Sequence, residues 1–380
     1  MTGPAAAITV ARAQPGERPA WDAFIAASPS ADHLQAWGWG EVTAVTGERP
    51  VRLVARDSAG VVRGVAQVLV RDAAFGRRVL YVPHGPAWDV GAADGDVVLD
   101  ALLSGIRRFG KAERGIVAKV DPRAVFRYPR GTVPALSPDS PGGQGDEQVP
   151  ASGEVVRAAL VARGLRSARA DLQARTTRVL DLTPGASAVF ASFGREKRRN
   201  IRLSARKGVT TRVVRNPDFD AYSAFADLLG VTGRRGGFRV RSREALLRLA
   251  DEFAPGGGTY LAVAELGARM IAGCLAVRVG GRAFYVYAGS LREPALSHVY
   301  GPYAVLWALC EALIADGVES LDLWGVAEPG DPSADPDWRG FSAFKLGFGG
   351  VPLRHPGTFD LVLSPGWYAV RDLGERIGHR

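Results

Sequence analysis
Apolar runs and turn residues follow one order twice along the chain. Pro19–Ala27 has helical spacing, and Val51–Ala55, Gly64–Val70 and Arg78–Val82 are short β-rich runs separated by turn residues, so they predict three strands. Pro83-His-Gly-Pro-Ala-Trp-Asp89 interrupts the pattern. Val97–Phe109 then predicts a helix that stops at Gly110, and Ile116–Val120 a buried strand. From Asp121 to Ser152 the chain is mostly Pro, Gly, Ser, Asp and Gln, which predicts a long loop, and ordered structure restarts with a strand in Leu172–Leu182. The first order then returns. Thr259–Glu265, Ile271–Arg278 and Ala283–Tyr287 predict strands, an irregular segment runs to Pro302, and a helix at Ala304–Asp316 stopped by Gly317 leads into a strand at Ser320–Trp324.

The two series keep a nearly constant offset, 209 from Gly64 to Gly273 and 205 from Val82 to Tyr287. A single period of that length is a duplicated domain and not a solenoid. Each copy reads β-β-β-α-β, antiparallel strands followed by a crossover helix, an order that resembles the GNAT acyltransferase fold. The expectation is an α/β (α+β) protein of two tandem GNAT-like domains, each a mixed, mainly antiparallel sheet flanked by helices. Residues 1–172 completed by 352–380 form the first, and residues 173–351 form the second.

Between the two series lies Ser192-Phe-Gly-Arg-Glu-Lys-Arg-Arg-Asn-Ile-Arg-Leu-Ser-Ala-Arg-Lys-Gly208. At about 100° per residue Arg195, Arg198, Arg199, Arg202 and Arg206 share one stripe, with Phe190, Phe193, Ile201 and Ala205 opposite. Five guanidiniums on one stripe repel each other unless an anion offsets them, and guanidinium grips phosphate bidentately. The stripe therefore points to a phosphate-bearing substrate, against the plainer reading of a solvated face. A net charge of +9 over 380 residues agrees with a polyanionic partner or an anionic membrane face.

Other chemistry is scarce. Two cysteines in apolar surroundings, Cys274 and Cys310, are neither a disulfide framework nor a zinc site, and no CxxC or HExxH occurs. No secretion signal and no membrane-spanning run is evident, so a cytoplasmic protein is expected. Gly105–Ala112 mimics a phosphate loop but lies inside a predicted helix, and Arg278–Ala283 has the letters of an acetyl-CoA cradle but sits in a hairpin turn. Trp37 and Trp39 fit either a core or a stacking surface. In Gly340-Phe-Ser-Ala-Phe-Lys-Leu-Gly-Phe-Gly-Gly350, Lys345 sits among three phenylalanines and four glycines. It reads either as a strand end with a snorkelling lysine or as a poorly solvated cation that acts strongly on an oxyanion or phosphate.

With these pieces placed, the chain resembles the FemABX family of aminoacyltransferases, which build peptidoglycan cross-bridges from aminoacyl-tRNA. The resemblance rests on Gln35–Glu41, Tyr81–Asp89, Gln173–Thr177, Arg198–Val209, Tyr287–Ser290, Tyr300–Tyr303, Asp322–Val326 and Gly340–Gly350, in that order. It implies that Lys345 with Phe344 lies at the reaction centre. It further implies that Arg198 of the basic helix, with Arg202, binds acceptor phosphates, that Trp39, His84, Tyr287 and Tyr303 contact the acceptor, and that Asp89 is a candidate base. Thr43 and His84 depart from the residues usual in the family, and no heptad run suggests the coiled-coil arm that some members carry between Asp218 and Phe253. The implied substrates are aminoacyl-tRNA and a UDP-MurNAc-pentapeptide or lipid II, without a cofactor and with possible peripheral contact at the inner membrane face. Two rivals stay open: a GNAT-like N-acyltransferase using acyl-CoA on a polysaccharide or small amine, and a non-catalytic module binding tRNA or a membrane surface.

Overall fold
A computed structural model of the chain describes residues 7–123, 151–237, 240–256, 258–328 and 339–378. The described residues form two compact units, one of 7–123, 151–175 and 354–378, the other from Thr176 to Leu353.

The first unit runs β1 (Thr9–Arg12), α1 (Arg18–Ala27), α2 (Trp37–Ala44), β2 (Arg49–Arg56), β3 (Val62–Ala73), β4 (Arg77–Val82), β5 (Ala87–Trp88), α3 (Gly95–Ala112), β6 (Gly115–Val120), α4 (Ala151–Ala162) and β7 (Arg166–Ser167). The second holds β8 (Thr176–Asp181), α5 (Ala186–Ser192), α6 (Arg195–Arg206), β9 (Val209–Arg215), α7 (Phe219–Gly236), α8 (Arg243–Phe253), β10 (Thr259–Leu266), β11 (Arg269–Val279), β12 (Arg282–Ser290), α9 (Gly301–Ala315), β13 (Ser320–Gly325), α10 (Arg339–Leu346) and β14 (Val351–Arg354). The chain then re-enters the first unit with β15 (Phe359–Val362) and α11 (Pro365–Gly378).

The duplication is visible in the topology. One sheet is ordered β1-β2-β3-β4-β6-β15-β7 with β5 beside β3, and the other β14-β8-β13-β12-β11-β10-β9. Each contains three antiparallel strands, a helix and a fourth strand parallel to the third: β2-β3-β4-α3-β6 and β10-β11-β12-α9-β13. Ala66, Val68 and Val70 of β3 pack with Val98, Leu99, Leu102 and Ile106 of α3. Ala272, Cys274 and Ala276 of β11 pack in the same core as Val305, Leu306, Leu309 and Cys310 of α9. Both cysteines are thus small core residues.

One expected equivalence is corrected. A side chain at Gly64 would strike Leu102 and Val98 of the crossover helix, whereas one at Gly273 would meet Phe225 of α7, on the other face. Strand side chains alternate, so an odd offset of 209 reverses the face, and a true equivalence needs an even one. The shared glycine is a one-residue slip between genuinely duplicated strands.

Helix α3 passes through the expected stop at Gly110, which sits against Leu80 and Leu363, where a Cβ would have no room. The glycine serves close packing there, not chain termination. Of the expected loop, 124–150 lies outside the described residues. Its first residues, Asp121 and Arg123, are buried, and Ala151 already opens α4. Asp218–Phe253 forms two helices, of 18 and 11 residues, in α7 and α8.

Candidate functional site
The site is built on the second unit's parallel seam. Strand β12 pairs with β13 only over Arg282–Phe284 and Ser320–Asp322, although β12 continues to Ser290 and β13 to Gly325. The parting has a local cause. The Asp322 carboxylate accepts the backbone N–H of Trp324 at 2.7 Å, and Trp324 adopts φ +65°, so the strand bulges and its register against β8 shifts between Asp322 and Gly325. Thr177 donates a further hydrogen bond to the same carboxylate oxygen. In the first unit the corresponding seam stays paired from Arg78 and Gly115 to Val82 and Val120, and it does not open.

Lys345 enters the parting. The segment that the sequence left as a strand end or a glycine-rich niche is helix α10, with Lys345 in its last turn, followed by a turn in which Gly349 and Gly350 take φ +79° and +82°. A cation in a last turn complements the negative end of the helix dipole. Its Nζ donates to the Gly325 carbonyl at 2.9 Å, and the rings of Phe341 and Tyr285 lie 5.0 and 5.8 Å away. Only 8% of the residue is exposed. Burial pulls the ammonium pKa down to about 8, while Asp322 works in the opposite direction.

Beside it, Phe344 stacks edge-on against Tyr303 and Phe348 at 5.1 Å each, and Phe348 against Phe193 at 5.0 Å. Burial raises the Tyr303 hydroxyl pKa, and a hydrogen bond with Asn200 partly offsets this. Helix α6 adjoins this cluster: Gly194, just before its first turn, donates its N–H to the Gly347 carbonyl at 3.0 Å.

The basic stripe holds, with three corrections to the face opposite. Phe190 belongs to the preceding helix α5, Phe193 lies in the break between α5 and α6, and Ala205 is exposed. Arg195, Arg199, Arg202 and Arg206 are exposed and Arg198 is half-buried. Arg198 donates to the Ala191 carbonyl at 2.6 Å, and Arg202 lies 5.1 Å over the Phe190 ring. Among the described residues none of the five has a carboxylate at ion-pair distance.

A sixth cation on α6 escaped the sequence reading. Lys197 points inward with Asn200, Ile201 and Ser204, is only 8% exposed, and places Nζ 5.4 Å over the Tyr303 ring. Among the described residues its one ion-pair contact is with the exposed Glu196, at 3.7 Å. Its stem crosses Gly347, where an added Cβ would fall 1.9 Å from Lys197 Cε. The signal was its place in an i, i+3, i+4, i+7 series, overshadowed by the neighbouring arginines.

Tyr287 falls apart from this group. It pairs with Leu275, and its hydroxyl hydrogen-bonds Arg241, whereas Tyr285, past a bulge in the same strand, faces Lys345. The remaining residues implied by resemblance lie in the first unit. Trp39 is buried, its ring edge-on to His33 at 5.1 Å. His84 is buried with φ +44°, its Nδ1 hydrogen-bonded to Asp32 at 2.5 Å and its N–H to Asp121 at 2.6 Å. Asp89 is exposed and accepts the Gly91 N–H at 3.0 Å.

Two tandem units, each with a β-β-β-α-β core and a parallel seam, define a GNAT-like acyltransferase fold, as in a tandem GNAT protein from the clavulanic acid biosynthesis pathway (TM-score 0.52, 14% identity, covering 94% of this chain and 99% of that one). The chain itself belongs to the FemAB family, which it matches over residues 17–270 and 264–376. The crystal structure of FemX superposes with TM-score 0.77 at 20% identity, covering 95% of this chain and 99% of the other. A lipid II:glycine glycyltransferase of Staphylococcus aureus (strain MRSA252) is 25% identical over 249 residues, 64% of this chain. The match spans about half of that relative, 53% of its length.

Proposed function
We propose that the chain is an aminoacyltransferase that moves an amino acid from aminoacyl-tRNA to an amine of a peptidoglycan precursor stem peptide, forming a cross-bridge. One observation carries this reading: a buried ammonium, Lys345, stands in the opened seam of an acyltransferase fold, beside a helix whose arginines have no carboxylate partner among the described residues. Ammonium and guanidinium groups so placed suit two polyanions, a tRNA and a precursor carrying diphosphate.

In the proposed reaction the lone pair of the acceptor amine attacks the ester carbonyl. A C–N bond forms, the C–O bond to the tRNA ribose breaks, and the amine proton ends on the released ribose hydroxyl. Lys345 stabilises the oxyanion of the tetrahedral intermediate. The ester is already activated and the amine nucleophilic, so alignment supplies much of the rate and no cofactor or covalent enzyme intermediate is needed. Phe344, Tyr303 and Phe348 keep water from the ester, and Arg198 and Arg202 bind phosphate. The name of the relative, lipid II:glycine glycyltransferase, favours the lipid-linked acceptor over UDP-MurNAc-pentapeptide. Among the described residues no helix is long and apolar enough to cross a membrane. A tRNA donor places the proposed reaction on the cytoplasmic side, where the chain would meet that acceptor peripherally.

The acyl-CoA rival is disfavoured because the first unit's seam is closed and the second is occupied by Lys345. The test incubates the protein with a panel of charged tRNAs and both acceptors and reads product masses. A one-residue mass gain that ribonuclease abolishes is expected. Transfer that survives ribonuclease, or no transfer with any charged tRNA, overturns the proposal. Lys345→Met is expected to lower turnover at least about tenfold with acceptor binding largely kept, measured by single-turnover assay and equilibrium binding.

A further inference from the structure
A patch of the first unit, made of residues that the proposed reaction does not use, has the makeup of a membrane anchor. The hairpin between β3 and β4 turns through Ala74–Gly76 with both Phe75 and Gly76 in the left-handed region, φ +58° and +64°. Two consecutive left-handed residues match the twist of a hairpin, and such positions favour Asn or Gly. A phenylalanine there is strained, and its ring is 78% exposed. The ring leans on Trp367 of α11 at a centroid distance of 5.6 Å. From Trp367 the helix continues at three-residue steps to Val370 and Leu373, 62% and 58% exposed.

Cations border these groups. The Arg77 guanidinium lies 4.6 Å from the Trp367 ring, and Arg114 reaches the turn at Gly76. Arg114 closes the turn after Lys111, which with Arg107 and Arg108 lines a basic groove along α3. Apolar rings and aliphatic groups rimmed by arginine and lysine match the acyl–headgroup boundary of an anionic bilayer, a chemistry that neither a neutral surface nor an acidic peptide satisfies in full.

We propose that Phe75, Trp367, Val370 and Leu373 insert at the surface of an anionic membrane while Arg77, Arg114 and Lys111 bind its headgroup phosphates. This deepens the reading of a lipid-linked acceptor, on which its biological use rests, but the binding itself needs no acceptor. The test is flotation of the full chain with phosphatidylcholine vesicles, with and without about one third phosphatidylglycerol. Phe75→Gly relieves the turn and removes the ring, so it is expected to melt no lower than the parent while its partition into the anionic vesicles falls at least about fivefold. Val370→Ser with Leu373→Ser is expected to do the same, and transfer to a soluble acceptor is expected to stay unchanged in both.

Equal partition of parent and variants, or no flotation of the parent, overturns the anchor. So does a dimer in sedimentation velocity that Phe75→Gly dissociates without any vesicle binding, since a second copy would then cover the patch. Loss of transfer to every acceptor with flotation intact would count against the reaction and leave the anchor standing.

Discussion

At the scale of single residues, the pair Lys197 and Gly347 gives the sharpest expectation. An ammonium withdrawn from water and offset by no more than a long contact to the exposed Glu196 is costly unless something more negative arrives, and here it hangs over Tyr303 within the cluster around Phe344. Gly347→Ala forces only the flexible end of Lys197 aside. It should therefore lower kcat/KM for the tRNA donor about tenfold, as Lys197→Met should too, while the melting temperature of Gly347→Ala stays close to the parent's. A large loss of stability with kcat/KM intact would show that the glycine serves packing alone. Lys345 sets a second expectation. Its folded pKa of about 8 means that the ammonium is lost in mildly alkaline solution, so kcat/KM should fall above about pH 8. Lys345→Arg, which stays charged, should lose that limb in the pH–rate profile, whatever its residual rate.

At the scale of elements, legibility followed pattern strength. The strands and crossover helices of both copies were readable because each buries a regular face, and the basic helix because five arginines recur at helical spacing. What escaped depends on partners far along the chain. Short strands such as β5, β7 and β14 carry too few residues for a period and exist because neighbours supply their hydrogen bonds. The end of α3 was misplaced because Gly110 was needed for contact with Leu363, a residue of the distant C-terminal segment. The bulge in β12 turns Tyr285 and not Tyr287 toward Lys345, and a bulge leaves little trace in composition. Lys345 was found by its surroundings of phenylalanine and glycine. Its helix was missed because the glycines suggested a strand end or an open niche, whereas Gly349 and Gly350 only form the turn after the helix.

At the scale of the whole molecule, the first unit stores a buried ionic network that couples its stability to pH. Asp32 receives His84 and Arg123, and Asp121 receives the His84 N–H and the Tyr81 hydroxyl. Burial pushes the Asp121 carboxyl up to about 7 and the His355 imidazole well below its usual value. Between about pH 4 and 6.5 the folded chain therefore keeps the proton of Asp121 and leaves His355 neutral, whereas the unfolded chain does the reverse. The raised carboxyl lowers stability as pH rises through that window and the depressed imidazole raises it, so the two slopes cancel. Asp121→Asn removes one of them. The variant should lose stability on acidification below about pH 6.5, at up to ~1.4 kcal/mol per pH unit relative to the parent. Urea midpoints of both proteins at about pH 5 and 7.5 check this, and parallel curves would discard the account.

Strand β15 lies between β6 and β7, and its Asp360 receives Lys119 at 2.8 Å from 241 positions earlier in the chain. That sheet therefore stays incomplete until the chain has run through the whole second unit and come back. Until then the free edge of β6 is an open template, so a chain interrupted anywhere between β7 and β15 should expose that edge and aggregate instead of folding its first half.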